Sequence, residues 1–92
     1  MIGSFLDPEA ENIFDGSGSR RYSGVERTIE RKLRAVEAAI ALKELTVPPG
    51  NRLEALKGDR KEQHSIRINQ QFRIRFRWEG GYAYDIEIVD YH

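Results

Sequence analysis

Phe72-Arg73-Ile74-Arg75-Phe76-Arg77-Trp78 is the stretch on which the fold turns. Large apolar residues alternate with arginine, the period of two that sends one side of a β-strand into a core and the other into solvent. Glu79-Gly80-Gly81 follows as a turn signal, and Tyr82, Tyr84, Ile86 and Ile88 then alternate with Ala83, Asp85, Glu87 and Val89. Two such runs around a short turn predict an antiparallel hairpin. Pairing Trp78 with Tyr82 sets Phe76 opposite Tyr84 and Ile74 opposite Ile86. On the polar side it sets Arg75 against Asp85 and Arg73 against Glu87, both favourable cross-strand pairs.

Upstream, Ile66 and Ile68 alternate with Ser65, Arg67 and Asn69. A two-residue turn at Gln70-Gln71 would set Ile68 against Arg73 and mix the faces. A three-residue turn over Asn69-Gln70-Gln71 pairs Ile68 with Phe72 and Ile66 with Ile74 and keeps them apart. It also sets Arg67 directly against Arg73. Like charges across a sheet repel, so compensation is required, either from Glu87 or from an anionic ligand.

Toward the N-terminus, Ile2 and Phe5 suit a short strand within Met1 to Leu6. Asp7-Pro8 predicts a helix cap and first-turn proline, with Glu9 and Glu11 at the positive end and the helix closing near Phe14. Ser23-Gly24-Val25-Glu26 predicts a capping box. Val25, Ile29, Leu33, Val36 and Ile40 then recur at helical spacing, until Pro48-Pro49-Gly50 ends anything helical. A helix with one apolar stripe and a sheet with one apolar face predict a two-layer α+β fold, two N-terminal helices on a small antiparallel sheet, with residues 1–92 as one domain.

The chain has 92 residues, no cysteine and a formal net charge of zero. It is long enough for one core, and without thiols it has neither disulfides nor cysteine zinc sites. Neutrality argues against non-specific nucleic-acid binding, but the charge is unevenly spread. From Asn51 to Arg77 there are eight Lys and Arg residues against three acids, which reads either as a solvated face or as an anion-binding groove. There is no signal-peptide pattern and no apolar run long enough to span a bilayer, so a cytoplasmic location is expected. No His, Asp and Glu cluster has metal-ligand spacing, Gly80-Gly81 precedes no helix, and no serine stands in a nucleophile elbow; neither metal nor cofactor is expected. His64 shares the parity of Ile66 and Ile68, which favours a packed core histidine.

The segments Pro49-Gly50-Asn51-Arg52-Leu53, Leu56-Lys57-Gly58-Asp59-Arg60, Ser65-Ile66-Arg67-Ile68-Asn69, Phe72-Arg73-Ile74 and Val89-Asp90-Tyr91-His92, in that order, resemble the HigB-type toxins of the RelE/ParE toxin–antitoxin superfamily. The resemblance covers nearly the whole chain. It implies the RelE-like fold and a ribosome-dependent endoribonuclease that cuts messenger RNA, silenced by a HigA-like helix-turn-helix antitoxin, with operator DNA reached only through that antitoxin. The implied catalytic set is His92, Tyr91, Arg73, Lys57 and Glu54, with Arg67, Arg60 and Asp90 binding RNA. Some relatives carry histidine where Glu54 stands, so Glu54 is either a base or a surface carboxylate paired with Lys57 or Arg60.

Metal-free RNA cleavage needs a base for the 2′-hydroxyl, an acid for the 5′-oxygen and cations for the phosphorane. Lys57 and Arg73 supply charge, and the Arg67–Arg73 juxtaposition makes sense around a phosphate. Tyr91 either stacks on a base or packs the last strand. Asp90 orients a histidine or pairs with an arginine. His92, raised toward the imidazolium by neighbouring carboxylates, suits the general acid; Glu54, Lys57 or His92 itself is then the base. The alternative is a non-enzymatic ParE-like inhibitor of DNA gyrase, which would need neither the terminal Asp90-Tyr91-His92 nor the Lys57 and Arg73 pair.

Overall fold

The structure is a computed structural model and describes residues 1–56 and 62–90. Lys57, Arg60, Tyr91 and His92 lie outside the described residues. Two helices, α1 (Pro8–Asp15) and α2 (Glu26–Ala38), are followed by two 3-10 turns, Leu42–Thr46 and Pro49–Asn51. Four strands come next: β1 (Glu54–Ala55), β2 (Gln63–Arg67), β3 (Phe72–Glu79) and β4 (Tyr82–Asp90). They form one antiparallel sheet in the order β1-β2-β3-β4. The helices cover one face, the two-layer α+β arrangement expected from sequence.

The first helix starts where its cap residue predicts: Asp7 is extended, its carboxylate accepts from Glu9 N–H at 2.9 Å, and left-handed Gly16 closes the far end. The second start differs. Val25 is the cap residue of α2, with no side-chain capping bond, so the Ser23 capping box does not form. Gly24 turns the chain at φ 92°, and the Glu26 carboxylate accepts instead from Ser19 N–H at 2.8 Å. At the other end, α2 stops at Ala38 and Ala39 is extended. Ile40 therefore leaves the stripe and is 78% exposed, against expectation.

Ile29, Leu33 and Val36 from α2 meet Ile66, Ile74, Phe76, Ala83, Ile86 and Ile88 from the sheet in one buried cluster. Each large side chain removed from water there contributes about 1.5–3 kcal/mol. The β2–β3 register is the expected one, with Ile66 opposite Ile74 and Arg67 opposite Arg73. Asn69 fixes the turn, its Oδ1 accepting from the N–H groups of Gln71 and Phe72 at 2.8 and 2.7 Å.

The β3–β4 register corrects the expected one. Gly80 and Gly81 both have positive φ, 60° and 86°, and form a two-residue turn that pairs Glu79, not Trp78, with Tyr82. A bulge follows between Arg75 and Arg77, with Asp85 at φ 55° on β4. The extra residue flips the alternation. Ala83, Ile86 and Ile88 are buried, whereas Tyr82 is exposed and Tyr84 lies under the Arg77 guanidinium at 4.7 Å. Consequently Arg75 pairs with Glu87 at 2.7 Å rather than with Asp85, and Arg73 faces Val89 rather than Glu87. The N-terminal segment lies along β4, touching it through parallel bridges at Ile2–Ala83 and Phe5–Ile86 rather than as a strand.

Candidate functional site

The helix-free face of the sheet is polar, and its β1–β2 side holds a cleft of about 260 Å³. Among the described residues Arg52, Glu54, Arg67, Asn69, Gln70 and Arg73 line it. Strand alternation accounts for three of these: Glu54 sits across from Ser65, and Arg67 across from Arg73, on one face. The register of the Asn69 turn brings Asn69 and Gln70 to the rim.

Arg73 is the floor of the cleft. It is 5% exposed, and its Nε donates to Ser65 Oγ at 2.8 Å. Its Nη2 donates to the carbonyls of Arg52 and Ser65 at 2.5 and 3.2 Å, and its Nη1 stands 3.7 Å from Glu54 Oε1. Arg67 leans the other way and donates from Nε to the Asn69 carbonyl at 3.1 Å. The two guanidiniums thus relieve their repulsion by turning to different acceptors. Glu87, one expected source of compensation, is committed to Arg75. Arg52 holds φ 45°, an unfavourable conformation for a residue with a side chain, and this turn aims its carbonyl at Arg73.

Among the described residues, three guanidiniums therefore share the cleft with one carboxylate, Glu54, which is about half exposed. Of the expected residues, the structure brings Glu54, Arg67 and Arg73 together. Asp90 pairs with Phe72 at the end of β4 and accepts from Gln71 Nε2 at 3.1 Å, but it does not line the cleft. The Tyr22 phenol is pushed up mainly by burial, opposed by Arg21, with Asp7, Glu9 and, least, Asp90 adding to the rise. His64 is half-buried, its ring stacked 6.3 Å from Phe76. Arg52, Asn69 and Gln70 were not read as site residues from sequence; the Arg52 conformation leaves no mark in residue type. Among the described residues no three His, Asp or Glu side chains are grouped to hold a metal ion.

The family described as RelE-like toxin of type II toxin-antitoxin system HigB matches residues 4–92. The chain belongs to this family. Toxin HigB-1 of Vibrio cholerae serotype O1 is 40% identical over 85 residues, which span 90% of each protein. An uncharacterised protein of Haemophilus influenzae is 33% identical over 61 residues, 66% of this chain and 60% of that protein. The fold is similar to a chain in the YoeB-YefM complex from Staphylococcus aureus, with a TM-score of 0.61 at 17% identity over 100% of this chain and 98% of that one. This HigB-type chain is thus a toxin of a type II toxin–antitoxin system, in a RelE-like family whose members are mRNA interferases. Gyrase inhibition is the disfavoured alternative. A partner antitoxin comes with the system, and among the described residues no helix is long and apolar enough to cross a membrane.

Proposed function

We propose that this toxin cuts messenger RNA on the ribosome without a metal, by attack of a 2′-hydroxyl on the adjacent phosphodiester. The observation that carries the reading is the gathering of Arg67, Arg73 and Arg52 in one cleft of the sheet, in a member of this family. The bond from O2′ to phosphorus forms and the bond to O5′ breaks, leaving a 2′,3′-cyclic phosphate and a 5′-hydroxyl. Arginine charge, with Lys57, stabilises the phosphorane. Arg67, Arg60 and Asp90 hold the RNA, and Tyr91 stacks on a base at about 1–3 kcal/mol. His92 protonates the departing 5′-oxygen, and Glu54, Lys57 or His92 takes the 2′-proton. Deleting His92 removes most of the cleavage; equal rates with and without it would exclude it as a catalyst.

The same reading makes the toxin cytoplasmic, restrained by a HigA-like helix-turn-helix antitoxin and linked to operator DNA only through it. The test is primer extension on messenger RNA after brief induction in a host lacking the antitoxin. Cuts within translated frames that vanish when translation is blocked are the expected result. Intact messages in a growth-arrested cell would overturn it.

A further inference from the structure

Cleavage in the cleft leaves one buried charge without a role. Lys32 on α2 lies in the apolar stripe with Ile29, Leu33 and Val36, is 9% exposed, and has no carboxylate within ion-pair distance among the described residues. Its ammonium donates to Oδ1 of Asn51, which is fully buried. Asn51 Nδ2 donates in turn to the carbonyls of Leu45 and Val47 at 3.0 and 3.2 Å. The amide is engaged at both ends, so only one orientation is satisfied; reversed, its NH2 would face an ammonium and its oxygen two carbonyls. The next residue is Arg52, whose left-handed backbone delivers its carbonyl to Arg73. An unbroken run therefore joins the helix layer to the floor of the cleft.

An ammonium buried against a neutral amide is a poor source of stability, and apolar side chains in place of both partners would serve the core as well or better. Desolvation, helped by Arg31, holds its pKa below the usual lysine value, which is the mark of that cost. What the ammonium supplies is orientation.

We infer that Lys32 and Asn51 are positioning residues for the cleft: Lys32 orients the Asn51 amide, Asn51 holds the turned backbone of Arg52, and the Arg52 carbonyl holds Arg73 beside Glu54. The inference rests on the cleft being the cleavage site, so its test has two arms. In the full chain, Lys32→Met is compared with wild type by NMR of the Arg73 Nε–H and the Arg52 amide. It is also compared by kcat and KM on programmed ribosomes.

The expected result is a folded variant in which both signals shift. Hydrogen exchange of the Arg73 guanidinium should quicken about tenfold or more, the size expected when its bond to the Arg52 carbonyl is lost. The kcat should fall about as much while KM stays within about twofold. Wild-type signals and wild-type kcat in folded Lys32→Met would overturn the inference. Should wild type itself not cut RNA, the proposed function fails, and the NMR arm alone decides the relay. Should Lys32→Met not fold, Asn51→Ser, which cannot span to both sets of partners, is read in the same way: displaced Arg73 signals support the relay and undisturbed ones refute it.

Discussion

Two hollows on the helix-free face of the sheet are similar in size and differ in electrostatic character among the described residues. One, of about 220 Å³, is lined by Leu6, Gln63, Arg75, Phe76, Arg77, Asp85 and Glu87. Its arginines are answered by carboxylates: Arg75 by Glu87 at 2.7 Å, and Arg77 by Glu79 at 2.7 Å and Asp85 at 3.6 Å. The other is the cleft around Arg67 and Arg73, where, among the described residues, backbone carbonyls and a serine accept from the guanidiniums and Glu54 brings negative charge. Strand β3 supplies arginines to both. What separates them is the neighbouring strands: β4 presents Asp85 and Glu87 at one end, whereas Arg73 lies between Val89 of β4 and Arg67 of β2 at the other. Carbonyl dipoles orient a guanidinium without adding a counter-charge, whereas a carboxylate cancels its charge.

The largest effect should come from Arg73→Gln. Its guanidinium faces Glu54 in the cleft, so cleavage should fall by about a hundredfold or more, the scale of losing a key charge-stabilising donor. The fold should lose about 1–3 kcal/mol as well, because Ser65 and the Arg52 carbonyl lose their partner. Urea unfolding alongside single-turnover cleavage separates the two effects. A variant as toxic as wild type would erase the distinction between the hollows.

At the paired end, Asp85→Gly tests the bulge. Glycine takes φ 55° without strain, and the Arg77 pair it removes is exposed and worth little. Stability should change by less than about 1 kcal/mol, with cleavage unchanged. A large loss of activity would mean that the second hollow also meets RNA.

Smallest is a control remote from both hollows. Glu44 has its pKa lowered because it accepts the N–H groups of Ala41 and Ile40. The folded pKa lies below the unfolded one, so this contribution is present above the usual carboxylate value and lost as pH falls through the folded pKa. Glu44→Gln should remove that part of the acid dependence of stability, seen in unfolding curves at low pH, and leave cleavage at neutral pH untouched.

Much of this contrast was legible beforehand, and the parts that were not share a cause. The β2–β3 register could be read because only one turn length keeps Ile66 and Ile74 on the same face, and the Arg67–Arg73 juxtaposition followed from it. The β3–β4 register could not, because a one-residue bulge at Asp85 is a backbone event that alternating residue types conceal. Glu54 and Arg73 met only through β1, a strand of two exposed residues with no periodicity to announce it. Ile40 fitted the helical spacing, yet Ala39 had already left the helix. The Lys32 relay did leave a trace: a lysine at a position of the apolar stripe. A charged residue at a core position is a signal to look for its acceptor.

The most direct test sets one arginine from each hollow against the other: Arg67→Gln and Arg75→Gln, purified and compared with wild type for cleavage on programmed ribosomes across a range of salt. Arg67→Gln should cut about tenfold more slowly or worse, the scale of one lost charge-assisted contact to phosphate. It should also lose part of the salt dependence, by about 0.7 in logarithmic slope for one phosphate contact to single-stranded RNA. Arg75→Gln should stay within about twofold of wild type with an unchanged slope, since Glu87 already neutralises the charge it removes. Equal losses from the two variants, or a greater loss from Arg75→Gln, would contradict the assignment of the Arg67–Arg73 cleft as the place where RNA is held.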